Sequence, residues 1–251
     1  MKLLEPLVVD PRAPLAPIHP LAKIGGALII MLGLLITVDI VTSGIVVVAI
    51  LIAIRLLGLS PRAVAVRATP LIFSAVALGI FNGLVGTNGA AGGVAIAMRL
   101  IGISLSGIVA VAAVDPTELA DAIVEHLHAP PRFVVGAVAA YRLFPLFSRQ
   151  WDTLGLARRA RGIESDRTLV QRLAAFPDRA VGLLVSAIRR ATRLALAMDA
   201  RGFGSRACRT LARPHAFGIG DLAFLVVTVA LVSAATAASI ALGTWRPLLT
   251  F

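Results

Sequence analysis

Five long apolar stretches constrain this chain more than any other feature of its sequence. They cover about residues 21–38, 40–57, 69–85, 94–114 and 222–242. Their lengths are near the ~20 residues that a helix needs to cross a bilayer. Segments of this kind must be helical, because lipid offers the backbone no hydrogen-bond partner. Only 15% of the residues are charged, against about a quarter in soluble domains. The sequence therefore predicts an all-α, polytopic membrane protein with about five spans.

The uneven distribution of basic residues predicts the topology. Of 24 Lys and Arg, sixteen lie in residues 132–213, and all sixteen are Arg. The breaks at 39–44 and 86–93 contain none. Cytoplasmic segments of membrane proteins are enriched in Lys and Arg. We therefore expect a multi-pass protein of the cell (plasma) membrane, with its N-terminus and residues 115–220 in the cytoplasm and its C-terminus outside. Topology accounts for the net charge of +11, so we do not expect nucleic acid as a partner.

This topology divides the chain into three predicted regions. An N-terminal membrane region with four spans covers residues 1–114, and a cytoplasmic helix region covers 115–220. A C-terminal span with an outer tail covers 221–251. The first twenty residues contain five prolines and no continuous apolar run, so we expect no cleavable signal peptide. A single cysteine, Cys208, excludes an intrachain disulfide.

The cytoplasmic helix region begins with a helix-start signal. Asp115 suits an N-cap and Pro116 the first helical position, which predicts a short amphipathic helix over 115–128. An apolar segment, 133–147, follows two prolines. Its 15 residues would rise only ~22 Å as a helix, so we expect a helix that lies at the membrane surface or packs on the spans.

Two longer amphipathic helices are expected after that segment, over 148–161 and 178–201. The second would be ~35 Å long, as long as a span but too polar to be one. A basic amphipathic helix on the cytoplasmic side either docks a partner or lies against anionic lipid headgroups.

These two helices end in the same motif. Residues 156–162 match residues 196–202 at five of seven positions. Both segments close in Ala-Arg-Gly, and the motif residues are Ala160, Arg161, Gly162, Ala200, Arg201 and Gly202. A small residue beside Arg leaves access to its planar fork, and Gly favours the left-handed cap that ends a helix. A single copy could be an ordinary cap that complements the helix dipole, but two copies favour a docking role.

With this motif, the chain resembles the T component, the transmembrane coupling subunit, of energy-coupling-factor (ECF) transporters, the EcfT/CbiQ family. The resemblance covers most of the chain from the fourth span to Gly204. The segments that carry it, besides Ala160-Arg161-Gly162, are Asp-Pro-Thr-Glu-Leu at 115–119, Tyr-Arg-Leu-Phe-Pro at 141–145, Ser-Ala-Ile-Arg-Arg-Ala at 186–191 and Ala-Met-Asp-Ala-Arg-Gly-Phe-Gly at 197–204.

The resemblance implies a mechanism and a set of partners. Arg161 and Arg201 would lie at the ends of coupling helices that insert into grooves of two ATP-binding-cassette (ABC) ATPases. The long helices would also cradle a membrane S component that binds a vitamin or a transition-metal ion. Closure of the ATPases on ATP would move the coupling helices and tip the S component in the bilayer.

The sequence offers no sign of chemistry on this chain itself. A phosphate-binding loop needs a lysine after its second glycine, and the only lysines, Lys2 and Lys23, lie in no such loop. His126 and His128 are two apart and would point in different directions on a helix. We expect no catalytic residue, metal site or cofactor. A membrane-bound enzyme of unknown chemistry stays the alternative outside transport.

Ionisable residues are rare in the predicted spans. Arg99 lies in the outer part of the fourth span, near the expected depth of Asp39. We expect a structural ion pair between them or snorkelling of Arg99, with a role in holding a partner as the competing hypothesis. A permease that conducts its substrate would carry more polar residues near the midplane, so we expect substrate to bind on another chain.

Overall fold

The computed structural model describes residues 13–86, 89–162, 169–203 and 217–245. Gly204, Cys208 and the tail beyond residue 245 lie outside the described residues. The regular secondary structure of the described residues consists of eight helices: α1 (Pro20–Ile36), α2 (Ile40–Leu56), α3 (Pro61–Val85), α4 (Gly89–Ala112), α5 (Pro116–His126), α6 (Pro131–Ala160), α7 (Leu169–Ala200) and α8 (Ile219–Ala241).

Each of the five apolar stretches forms one helix, and the all-α, polytopic membrane class is confirmed. Among the described residues, α3, α4 and α8 are long and apolar enough to cross a membrane. Helices α1 and α2 are also apolar but have only 17 residues each. Such a helix rises ~26 Å, at the lower end of the spanning range. That α1 and α2 also cross stays a prediction.

Helix α3 begins earlier than the apolar stretch it contains. Ser60 caps it by accepting a hydrogen bond on Oγ from the Ala63 N–H at 3.2 Å, and Pro61 occupies the first helical position. Proline is well suited there, because the first N–H groups of a helix lack an intrahelical partner.

The described chain divides into two compact units. The first contains residues 13–128 and 217–245, and the second contains residues 129–203. In the first unit α4 packs against α1, α2 and α3, while α8 packs against α1 and α2. Its core includes Leu34, Val46, Ile50, Ile54 and Leu105. The short helix α5 packs on α1 and belongs to this unit, although the sequence groups it with the two long amphipathic helices.

Small residues let α3 and α4 approach closely. A Cβ atom added at Gly93 of α4 would lie 2.4 Å from the carbonyl oxygen of Gly79 of α3. Only glycine leaves room for that backbone contact. Interfaces of this kind are common between membrane helices, where close backbone packing drives association.

The predicted break between segments 133–147 and 148–161 is wrong. Both belong to α6, a continuous helix of 30 residues, about 45 Å long, with Pro145 inside it. The predicted start of the next helix at residue 178 is also wrong, because α7 begins at Leu169 and contains Pro177. An interior proline removes one backbone hydrogen bond and kinks a helix, but here the turns on either side continue it.

Candidate functional site

The first Ala-Arg-Gly motif forms the C-terminal end of α6. Arg161 is the cap residue, and its N–H donates to the Ala157 carbonyl at 3.3 Å. Gly162 follows with a φ of +70°, in the left-handed region that glycine adopts without strain. The predicted left-handed cap is confirmed for this motif.

The second motif ends α7 in the same way and completes a Schellman cap. The Gly202 N–H donates to the Asp199 carbonyl at 2.9 Å, and the Phe203 N–H donates to the Met198 carbonyl at 3.0 Å. Gly202 has a φ of +75°. This pair of bonds satisfies carbonyls that the end of a helix would otherwise leave without a partner. The left-handed cap is confirmed here too.

Both motif arginines are exposed to solvent. Within the part of the chain that the structure describes, neither the Arg161 nor the Arg201 guanidinium has a hydrogen-bond or ion-pair partner. Arg158, one turn before Arg161, differs because it pairs with Asp178 of α7 at 2.9 Å. The two helix tips therefore each present a guanidinium whose donors are available to another molecule.

Helices α6 and α7 are antiparallel, which separates the two tips. Arg158 pairs with Asp178, while Gln150 Nε2 donates to Ser186 Oγ at 2.7 Å. The contact at the lower residue number in α6 is therefore made with the higher residue number in α7, as expected for helices that run in opposite directions. Arg161 lies at one end of the helix pair and Arg201 at the other.

The two helices contact each other through side chains in the C-terminal half of α6. Trp151 packs on Phe176 with ring centroids 5.3 Å apart, and the Arg179 guanidinium lies 5.9 Å from the Trp151 ring centroid, within cation–π range. Gly155 is buried beneath Arg179, and a Cβ added there would lie 2.9 Å from Arg179 Nη1. We call these residues, with Gln150, Arg158, Asp178 and Ser186, the α6–α7 contact.

Beyond the α6–α7 contact the same two helices line an open cleft. The cleft has a volume of about 790 Å³. Small and apolar side chains dominate its lining. The lining residues are Arg132, Gly136, Ala139, Ala140, Leu143 and Phe147 of α6, and Ala187, Ile188, Ala191, Leu194, Ala195, Met198, Asp199 and Phe203 of α7 and its cap. A cleft of this composition can accept an elongated apolar group.

Arg99 and Asp39 do not form the expected ion pair. Arg99 Nε donates to the Leu34 carbonyl at 2.6 Å, and its Nη2 donates to the Leu35 carbonyl. Asp39 instead caps α2, accepting on Oδ2 from the Thr42 N–H at 2.8 Å. Each charge thus meets a helix end of opposite partial charge: the carbonyls that end α1 and the N–H groups that begin α2.

Two charged residues, one near the start of α1 and one in the first turn of α8, have a role that the sequence did not reveal. Lys23 is buried, and its Nζ donates to the carbonyls of Ala16 at 2.8 Å and Ala113 at 3.3 Å. Asp221 is also buried, and it accepts from the His19 N–H at 2.7 Å and the Gly218 N–H at 2.8 Å. The position of Lys23 near the start of an apolar stretch indicates which side of the membrane that end faces. The carbonyl groups that it binds could be identified only from the packing.

No metal-binding cluster of three or more His, Cys, Asp or Glu residues occurs in the described ranges. The His126 ring contacts the His19 ring, with centroids 4.9 Å apart.

Comparison with known proteins agrees with this geometry. A family model described as cobalt transport protein, CbiQ, matches residues 12–210. The energy-coupling factor transporter transmembrane protein EcfT of Staphylococcus aureus (strain 04-02981) is 32% identical over 152 residues, which cover 57% of this chain and 56% of that protein. The protein of the same name from Brevibacillus brevis (strain 47 / JCM 6285 / NBRC 100599) is 37% identical over 108 residues, or 43% of this chain and 38% of that protein. In both alignments this chain covers less than two thirds of the relative. Because the family match spans well over half of its residues and includes both Ala-Arg-Gly helix ends, the chain belongs to the EcfT/CbiQ family of transmembrane transport proteins.

Proposed function

We propose that this chain is the transmembrane coupling subunit of an ATP-driven, ECF-type importer. It would transmit the motion of ATPases to a membrane S component that binds the substrate. Membership of the EcfT/CbiQ family supports this proposal, as do the names of both relatives. The observation that carries it is the pair of exposed arginine tips at opposite ends of the α6–α7 helix pair.

Each tip would dock into a groove of one ABC-type ATPase subunit. A guanidinium pairs with a carboxylate through two parallel hydrogen bonds, and Arg161 and Arg201 have their donors available for such a partner. Because the tips lie at opposite ends of one helix pair, a single copy of this chain would contact two ATPase subunits at once. Closure of the two subunits would then move both helices together.

The cleft between α6 and α7 supports contact with an apolar membrane partner. Its small lining residues would let a helix of the S component pack closely. The substrate, a vitamin or a transition-metal ion, would bind on the S component. This division of labour would leave ATP hydrolysis to the partner ATPases and require no cofactor on this chain.

The proposed orientation puts the arginine tips on the side where ATP is available. The N-terminus and helices α6 and α7 would be cytoplasmic, and the C-terminus would be outside, in a multi-pass protein of the cell membrane. The arginines of residues 132–213 support this orientation.

Affinity purification in detergent with candidate ATPases from the same genome tests the proposal. Wild type should retain the ATPases, and Arg161→Glu/Arg201→Glu should release them. The matched control is Arg149→Glu/Arg189→Glu, which makes the same charge change at one exposed position on each helix away from the tips. That control should retain the ATPases. Equal retention by both double variants would assign the tips to helix capping or lipid contact and would remove the proposed docking role of Arg161 and Arg201.

A further inference from the structure

Three arginines lie next to one another in the C-terminal half of α7. Arg193 follows Arg189 by four residues and Arg190 by three, and residues at these spacings are neighbours on a helix surface. Arg189 and Arg193 are exposed, and Arg190 is half-buried. Arg193 Nε donates to the Arg189 carbonyl at 3.3 Å, which keeps the Arg193 side chain beside the turn that carries the other two. We call these three residues the arginine cluster.

The arginine cluster lacks an acidic partner within the part of the chain that the structure describes. The sequence contains no Asp or Glu between Asp178 and Asp199, and none of the three guanidinium groups forms an ion pair with a described residue. Arg158 differs, because it pairs with Asp178 in the α6–α7 contact. Like charges one turn apart repel each other on a helix. An anion bound among the three guanidinium groups would relieve that repulsion.

Exposed aliphatic side chains form a strip directly beside the arginine cluster. Val181, Val185 and Leu196 are 59%, 43% and 64% exposed. The turn of an α-helix places these three within ~60° of one another around α7, and Arg189 follows ~20° beyond Leu196. We call the three residues the aliphatic strip. Helices that lie at a membrane interface have this arrangement, because their apolar side chains enter the acyl region while the arginines stay at the level of the headgroups.

The arginine cluster and the cleft use different sides of α7. The three arginines do not line the cleft. In this part of α7 its lining residues are Ala187, Ile188, Ala191, Leu194 and Ala195. A ligand on the arginine cluster would therefore leave the cleft open.

We propose that the arginine cluster binds the headgroup phosphate of an anionic phospholipid, with the aliphatic strip against the acyl chains. A guanidinium group pairs with phosphate through two parallel hydrogen bonds, and clustered arginines attract anionic lipid. A lipid suits this surface better than an acidic protein, because it supplies an anion and an apolar neighbour together. The lipid site is separate from the helix tips that carry the proposed function, and it requires only that the chain lies in a bilayer.

Spin-label accessibility measurements on the full chain in lipid nanodiscs test the proposal without a partner protein. The label is attached through Leu196→Cys in a Cys208→Ser background, which removes the only native cysteine. Nanodiscs of phosphatidylcholine alone are compared with nanodiscs of phosphatidylcholine and phosphatidylglycerol in equal parts. Oxygen concentrates among the acyl chains and a water-soluble nickel chelate is excluded from them. The ratio of the two accessibilities therefore reports how deeply the label is immersed.

The labelled parent chain should give a higher oxygen-to-nickel ratio in the mixture than in phosphatidylcholine alone. Arg189→Gln/Arg190→Gln/Arg193→Gln should lose this difference, because the guanidinium groups that bind the anionic lipid are gone. Arg189→Lys/Arg190→Lys/Arg193→Lys should keep part of it, since lysine keeps the charge but not the planar fork. The control is Arg149→Gln, which removes an exposed arginine of α6 and should keep the full difference.

Equal ratios in the two kinds of nanodisc for the labelled parent chain would overturn the proposal. A difference that survives in the triple glutamine variant would overturn it too, because the lipid response would not belong to the arginine cluster. Equal loss in Arg149→Gln would have the same effect, since the response would then follow net charge. The nanodiscs contain no ATPase, so failure of lipid binding and failure of the proposed function are separate outcomes.

Discussion

Arg158 of α6 and Asp178 of α7 form an ion pair of 2.9 Å that links the two long helices near the Arg161 tip. Arg158 is one turn from that tip and is mostly covered, whereas Asp178 is largely exposed. The pair is one of several side-chain interactions in the α6–α7 contact, together with the Gln150–Ser186 hydrogen bond and the Trp151–Phe176 ring contact. In the proposed function, displacement of the Arg161 tip would reach α7 through this contact.

Reversal of one charge in this pair should destabilise the α6–α7 contact, and reversal of both should restore it. Exposed ion pairs contribute about 0–1 kcal/mol, so we expect a small loss in Arg158→Asp and recovery of much of it in Arg158→Asp/Asp178→Arg. A double-mutant cycle on the thermal unfolding midpoint in detergent measures the coupling. Additive effects of the two single changes would mean that the pair contributes nothing.

Removal of the Arg99 guanidinium should destabilise the chain without releasing the ATPases. Arg99→Leu leaves the Leu34 and Leu35 carbonyls without these donors, and loss of a partner costs a buried polar group about 1–3 kcal/mol. Arg99→Lys should lose less, because it keeps a charged donor but not the fork. The unfolding midpoint and copurification with both candidate ATPases and candidate S components are measured together. An unchanged midpoint with loss of a membrane partner would instead assign Arg99 to partner binding.

Substitution of Gly93 should disrupt the close approach of α3 and α4. The added Cβ of Gly93→Ala would meet the Gly79 carbonyl at 2.4 Å, and overpacking of this kind costs about 1–3 kcal/mol. Gly107→Ala on the same helix is the control, since a Cβ there meets nothing within 4 Å. The unfolding midpoint should fall in the first variant and hold or rise in the second. Equal midpoints would show that the helices can separate at no cost.

A bulky residue in the cleft should block a membrane partner but not the ATPases. Ala191 lines the cleft, whereas Ala197 of the same helix does not, so Ala191→Trp and Ala197→Trp add equal volume in different places. Copurification with candidate S components and ATPases from the same genome distinguishes them. We expect only Ala191→Trp to lose the S component, with ATPase retention unchanged. Full retention of the S component by Ala191→Trp would place its binding surface elsewhere.

Features that depend on local sequence could be predicted, and features that depend on packing could not. The caps at Asp115, Gly162 and Gly202 follow from neighbouring residues, because each satisfies hydrogen bonds within one turn. The span positions follow from apolar length alone. Their count and orientation stay predictions.

Pro145 and Pro177 show the limit of local signals. Each favours a helix boundary by its chemistry, yet each lies inside a long helix. The partners of Arg99 depend on how α4 packs on α1, and the Arg158–Asp178 pair depends on the register of α6 against α7. Neither the packing of α4 on α1 nor the register of α6 against α7 is determined by a short segment. Neither contact was therefore predictable from residue spacing.

Native mass spectrometry of the purified complex tests the central claim most directly, because it counts ATPase subunits per copy of this chain. Wild type should carry two ATPase subunits, and Arg161→Glu/Arg201→Glu should carry none while the chain keeps its unfolding midpoint. A wild-type chain without bound ATPase, or a double variant that keeps both subunits, would contradict the proposal that Arg161 and Arg201 dock this chain onto two ATPase subunits.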